Sequence, residues 1–156
     1  MTVIDDIVLR DATIDDADAM GTLVLALMKR WITPDCTQEG VARLVASTAP
    51  GMIVERLHEG HRHVVAQYDG RIVGVAALRL PSHLYWLFVA DDMQRRGIAR
   101  GLWNAVRTSA KADAPVTVNA SLHALEMYRR LGFEASASMR FEHGIRTVPM
   151  AWMPRT

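Results

Sequence analysis

One cysteine, Cys36, is all that the chain contains, which excludes an internal disulfide framework and a zinc site built from several thiolates. No apolar run approaches the roughly 20 residues that a membrane-spanning helix needs. An excess of one charge is missing too. Eighteen basic and 17 acidic residues leave a net charge of +1, so no overall field recruits nucleic acid or an anionic membrane. The opening segment Met1–Asp6 carries acids where a signal peptide would be basic. The expected setting is therefore soluble, reducing and cytoplasmic, without a membrane or nucleic-acid partner. What is present is globular composition, half hydrophobic and 22% charged, over 156 residues. That length predicts one domain, 1–156, with enough chain to bury a core.

Hydrophobic spacing supplies the elements. Ile7–Arg10 reads as a first strand, and Thr13 can cap a helix, with Asp16 as the capping-box acid. Met20, Leu23, Val24, Leu27, Met28 and Trp31 recur at three- and four-residue steps, which predicts a helix ending near Trp31. Helical stretches over 38–48 and 52–58 come next, broken by Ala49-Pro50-Gly51. His63–Tyr68 and Arg71–Leu78 flank Asp69-Gly70, a dipeptide suited to the two left-handed positions of a type I′ hairpin. Then come a strand at Leu84–Val89, a helix from Gln94 to Lys111, a strand at Val116–Asn119 and a helix at Ser121–Leu131 with Gly132 as its terminator. Strands over 133–141 and 145–152 around His143-Gly144 close the chain. The order β-α-α-β-β-β-α-β-α-β-β predicts a mixed α/β sheet with helices on its faces.

The strand-to-helix joint at Gln94-Arg95-Arg96-Gly97-Ile98-Ala99 is the most informative segment. A helix N-terminus leaves about four N–H groups unpaired and carries roughly half a positive charge, which suits a pyrophosphate. Gly97 removes the side chain that would hold such a ligand away. Arg95, Arg96 and Arg100 add positive charge. The bland alternative is an ordinary joint that happens to contain a glycine. Neither three spaced glycines nor a Walker lysine is present, so dinucleotide and nucleoside-triphosphate fingerprints are excluded.

This hexapeptide is similar to the Gln/Arg-x-x-Gly-x-Gly/Ala signature of the GNAT superfamily of acetyl-CoA-dependent acyltransferases. The preceding Leu87-Phe88-Val89 resembles the family's fourth strand. Asn119-x-Ser121-x-x-Ala124-x-x-x-Tyr128-x-x-x-Gly132-Phe133 resembles its distal motif. The resemblance covers nearly the whole chain and implies a sheet splayed between its fourth and fifth strands, where the acyl-CoA enters. It implies that the amides of Gln94, Arg95, Arg96, Gly97, Ile98 and Ala99 bind the pyrophosphate and that Phe88 and Val89 pair with the pantetheine arm. Asn119 and Ser121 would line the opposite wall, with Tyr128 near the thioester sulfur. No metal is implied, and the acceptor would be a small-molecule or peptide amine. The resemblance allows a homodimer.

The chemistry then needs a base and an acid. A free alkyl amine has a pKa near ~10.4, so supplying its neutral form at pH 7 costs on the order of 4–5 kcal/mol. Tyr128 is the expected acid for the departing thiolate. Relatives often carry a carboxylate shortly before the Leu-Phe-Val segment; His83 and Tyr85 stand there instead. His83 is the candidate base, with a water chain as the alternative, and Tyr85 and Trp31 are candidate acceptor contacts. Tyr128 could also simply cap the core, and His83 could be a loop residue in solvent. Trp103 is expected to pack, and Cys36 to be a free surface thiol. His58-Glu59-Gly60-His61-Arg62-His63 lacks zincin spacing and reads as a polar loop entering a strand. Pro149 predicts a bulge or an early end in the last strand. Two rivals remain: a non-catalytic acyl-CoA-binding module, and an α/β interaction protein that binds no coenzyme A.

Overall fold

The computed structural model describes residues 1–154. Its strands are β1 (Thr2–Ile4), β2 (Ile7–Asp11), β3 (Arg62–Tyr68), β4 (Arg71–Arg79), β5 (His83–Val89), β6 (Val116–Ser121), β7 (Glu134–Ala135), β8 (Arg140–Glu142) and β9 (Ile145–Trp152). Its helices are α1 (Ala17–Trp31), α2 (Gln38–Ser47), α3 (Pro50–His58), α4 (Ile98–Val106) and α5 (Leu125–Arg130). The strands form one mixed sheet in the order β1-β2-β3-β4-β5-β6-β9-β7, with β8 also on β9. Only the β5–β6 pair is parallel.

Local chemistry accounts for most of the elements. Asp69 and Gly70 both take positive φ, 51° and 75°, and turn β3 into β4 as expected. Asp5 and Asp6 do the same at 46° and 67°, creating the unforeseen strand β1; aspartate tolerates this conformation better than most residues. The Asp16 carboxylate accepts the Thr13 N–H at 2.7 Å and a forked pair from Arg10 at 2.8 and 2.9 Å. Hydrogen bonding from Arg10 holds its carboxyl below the ordinary range, so the acid-side cap also ties α1 to β2.

The structure corrects three expectations. Helix α4 starts at Ile98 rather than Gln94, because residues 94–97 form a loop, and it tightens to a 3-10 turn after Val106. The expected strand over 133–141 is split into β7 and β8. Pro149 neither bulges nor ends β9, which continues to Trp152 with Pro149 opposite Asn119. The interruption falls on its other neighbour. Ser136 N–H donates to the Pro149 carbonyl at 2.9 Å, and residues 136–139 leave the sheet where a proline has no N–H to give.

Two apolar layers hold the sheet. On one face Ile98, Leu102, Trp103 and Val106 of α4 and Tyr128 and Leu131 around α5 pack on Leu84, Leu87, Val118 and Ala120. On the other, Met20, Val24 and Met28 of α1 and Ile53 of α3 pack on Val65, Val75 and Trp86. Strand β6 alternates buried and exposed, so its α4–α5 face is covered while Thr117 and Asn119 open to solvent. Strands β5 and β6 share only the pairs His83↔Thr117 and Leu84↔Val118. Beyond them β6 pairs with β9 alone, and the sheet splays as expected between what the sequence counted as strands four and five. Among the described residues no helix is long and apolar enough to cross a membrane.

Candidate active site

The splay opens into a cleft of about 610 Å³. One wall is the end of β5, Leu87 to Val89, and the loop into α4. The opposite wall is Ser121, His123, Ala124, Met127, Arg130 and Leu131. The end of α1, with Leu27, Trp31 and Ile32, covers the mouth.

The loop has the shape an anion needs. Arg95 has φ +65° and Gly97, the N-cap of α4, has φ +77°. Alternation of left-handed residues turns successive N–H groups toward one concavity at a helix N-terminus. A Cβ built on Gly97 meets nothing within 4 Å, so the space in front of it is open. Gln94 Nε2 donates to the Val89 carbonyl at 2.8 Å and fixes the loop to the strand end. Arg100 reaches across the back of the cleft to the Arg130 carbonyl at 3.0 Å. Such a concavity at a helix N-terminus, opening into the cleft, has the donor arrangement that binds an anionic group. Among the described residues no cluster of three or more histidine, cysteine or acidic side chains could hold a metal ion.

Trp31 forms a strap across the opening. Its Nε1 donates to Asp91 Oδ1 on the β5 side at 2.8 Å, and its ring stacks on His123 on the β6 side, 4.3 Å away and 8° from parallel. Arg30 reinforces the anchor at 3.2 Å from Asp91.

Of the residues expected from sequence, Trp31, Phe88, Val89, Gln94, Arg95, Gly97, Ile98, Ala99 and Ser121 line the cleft. Arg96 does not; its guanidinium lies over Tyr68. Asn119 lies two residues nearer the apex than the lining reaches, on the open face of β6. Tyr128 lies behind the lining, 5% exposed and edge-on to Phe133 at 5.4 Å. Burial pushes its phenol well above the ordinary value, so it holds its proton. His83 sits at the apex, where its Nδ1 is 2.8 Å from Thr117 Oγ1. Burial, then Arg79, lowers its pKa, so the imidazole is neutral at pH 7. His123, Asp91 and Arg130 were not foreseen. They occupy positions that the motifs leave unspecified, and only the fold brings them to the cleft.

The histidine-rich segment does more than enter a strand. His61 Nδ1 and His63 Nε2 both meet the Tyr85 hydroxyl, at 2.9 and 3.2 Å. His63 is 1% exposed, its Nδ1 has no hydrogen-bond partner, and burial lowers its pKa to about 4. An unfolded histidine titrates near ~6.5. Since the unfolded chain then binds more protons, this residue's contribution to stability falls as pH drops from about 6.5 toward 4. Acid titration of the unfolding midpoint is expected to show that loss in the wild type and a flatter profile in His63→Gln.

The family model described as acetyltransferase (GNAT) domain matches residues 32–154. The chain belongs to the GNAT acetyltransferase family. The GCN5-related N-acetyltransferase of Rhodopseudomonas palustris, which also carries the name aminotransferase, class II, superposes with a TM-score of 0.80 at 25% identity, over 99% of both chains. PaiA N-acetyltransferase from Thermoplasma acidophilum, solved with coenzyme A, gives 0.78 at 11% identity, over 95% of this chain and 99% of that one. YncA from Salmonella typhimurium, solved with its cofactor acetyl-CoA, gives 0.67 at 17%, over 96% and 94%. No curated protein matches the sequence. The last two likenesses speak to the GNAT fold alone.

Proposed function

We propose that this GNAT domain transfers an acetyl group from acetyl-CoA to a primary amine by direct attack in a ternary complex. The observation that carries the reading is the left-handed, side-chain-free Gly97 at the N-terminus of α4, facing the splay between β5 and β6. The loop amides and the helix end would hold the pyrophosphate, and the unpaired edge of β5 at Phe88–Val89 the pantetheine arm. Acetyl-CoA bound there supplies an activated thioester. That direction points the acyl end toward the apex at Leu84 and Val118.

Two residues then divide the proton work. Tyr128, kept protonated by burial, is the donor for the departing sulfur. His83 is the acceptor for the amine proton. If its Nδ1–H donates to Thr117 Oγ1, the Nε2 lone pair is free to act as base. Positioning and hydrogen bonding supply the rest of the rate.

The test is acetyl-CoA-dependent thiol release across small amines, amino acids and peptide N-termini. Tyr128→Phe is expected to lower kcat by about 100-fold while leaving acetyl-CoA affinity near wild type. The acid limb of kcat/KM is expected below pH 6.5, in line with the lowered His83 pKa, and His83→Gln to abolish it. A limb unmoved by that variant would transfer the base role to a water chain. One observation favours the alternative of a non-catalytic acyl-CoA-binding module: Tyr128 lies behind the cleft lining instead of in it. That module would show a thermal shift with acetyl-CoA and no turnover on any amine.

A further inference from the structure

Strand β5 carries a bulge beside the apex. Ala77 pairs with Trp86 and Leu78 with Leu84, so Tyr85 is the extra residue. The bulge sends both Tyr85 and Trp86 to the α1–α3 face, where they pack on the second apolar layer. His61 and His63 fix the Tyr85 hydroxyl from two sides, and its ring becomes a rigid platform. The Arg56 guanidinium lies on it, 5.4 Å from the Tyr85 centroid and 5.8 Å from that of Trp86. One Arg56 nitrogen donates to the Ser47 carbonyl at 3.1 Å. A guanidinium has five N–H donors, and no carboxylate takes the others among the described residues.

Arg79 stands on the same face as the cross-strand partner of His83. It too has no carboxylate partner among the described residues. The field of Arg79 reaches His61, His83 and Tyr85, and that of Arg56 reaches His61, His63 and Tyr85. The acid nearby is Glu59, 3.7 Å from His61 Nε2 and bridged to neither arginine. Next to this cluster β6 leaves Thr117 and Asn119 uncovered. The result is a surface patch on the face opposite α4 and α5, beside the closed end of the splay, whose two arginines have no ion-pair partner among the described residues.

We propose that Arg56 and Arg79 form a carboxylate-recognition site on the acceptor side of the splay, so that the amine acetylated is an amino-carboxylate. The proposal rests on the acetyl-transfer reading and names its substrate class. Charge complementarity selects the occupant. A planar guanidinium binds a carboxylate by two parallel hydrogen bonds, and the Tyr85–Trp86 platform holds Arg56 before the ligand arrives. The same two charges repel the second ammonium of a diamine, which sets polyamines apart by the opposite sign. The carboxylate would anchor beside Arg56 while the amine reaches past His83 to the apex.

The experiment pairs each candidate acceptor with its carboxamide, for example glycine with glycinamide and 4-aminobutyrate with 4-aminobutyramide. The expected result is a kcat/KM at least tenfold higher for the acids, with the ratio falling close to one in Arg56→Gln and dropping severalfold in Arg79→Gln. Acetyl-CoA affinity should stay at the wild-type value, and Arg79→Gln, at an exposed position, guards against a folding defect in the first variant. A wild-type ratio of one or less, or a ratio that survives both substitutions, overturns the proposal. If no amine turns over, the transferase reading fails separately, and the site is read without turnover. N-acetylglycine and N-acetylglycinamide are then titrated into the CoA-loaded protein while the Arg56 side-chain N–H resonance is followed by NMR. A shift with the acid alone supports the carboxylate site; no shift, or the same shift with both, overturns it.

Discussion

Gly97→Glu is expected to abolish acetyl-CoA binding while leaving the domain folded. In the ligand-free protein a side chain at this position enters open space, so the folded state suffers mainly the left-handed backbone, about 1–2 kcal/mol for a residue with a Cβ. The ligand-bound state is another matter. In the proposed complex the carboxylate would stand where the loop amides and the α4 N-terminus hold the pyrophosphate, adding bulk and negative charge against an anion. Wild-type protein at a hundredfold excess of acetyl-CoA over Kd should gain about 2.7 kcal/mol, or roughly 5–10 °C in Tm for a domain of this size. Gly97→Glu should gain nothing. Gly97→Ala separates the two effects, since it carries the same backbone strain with little bulk and no charge. A glutamate variant that keeps the wild-type thermal shift would remove this loop from the binding site, and with it the basis for the cleft's assignment.

The residues proposed for the cofactor stood in a legible motif, and much of the proposed acceptor side did not, for a physical reason. Pyrophosphate recognition uses backbone N–H groups at a helix start, and only glycine and small residues permit the approach. Gly97 and Ala99 therefore stand at fixed offsets from the strand that ends at Val89. The hairpin at Asp69-Gly70 was legible on the same grounds, because few dipeptides take two left-handed residues without strain. The Asp5-Asp6 turn broke that pattern, and β1 went unseen. Pro149 was noticed as a conflict, but its consequence fell on a neighbouring strand that sequence alone cannot pair with it. The contact between His61, His63 and Tyr85 depends on two strands and a bulge, and joins residues more than 20 apart. Nothing in local spacing distinguishes that cluster from a polar loop. His123 is similar: a position the motif leaves unspecified, brought against Trp31 by the fold.

Trp103→Ala is expected to lower Tm by about 10 °C and to damage turnover along with stability. Trp103 is 2% exposed at the centre of α4, 4.9 Å from Phe133 and 5.4 Å, edge-on, from Trp152. Truncating a buried tryptophan costs about 3–5 kcal/mol, because the cavity closes only partly. Each kcal/mol is worth about 2–4 °C in a domain of this length. The place of the loss matters as much as its size. Helix α4 belongs to the β5 side of the splay, while Phe133 and Trp152 belong to the β6–β9 side, so this aromatic group joins two arms that share only two residue pairs near the apex. Phe133 in turn supports Tyr128 edge-on, and removing its other neighbour loosens the phenol's only aromatic contact among the described residues. Turnover should therefore fall at temperatures where the variant is still fully folded, with kcat reduced more than the KM for acetyl-CoA is raised, since Gly97 and its loop lie at the N-terminus of α4, more than a turn from Trp103. Trp103→Phe should recover most of both losses. A Tm drop of less than about 3 °C in the alanine variant would mean that the two arms are held together elsewhere, by the short β5–β6 pairing and the Trp31 strap.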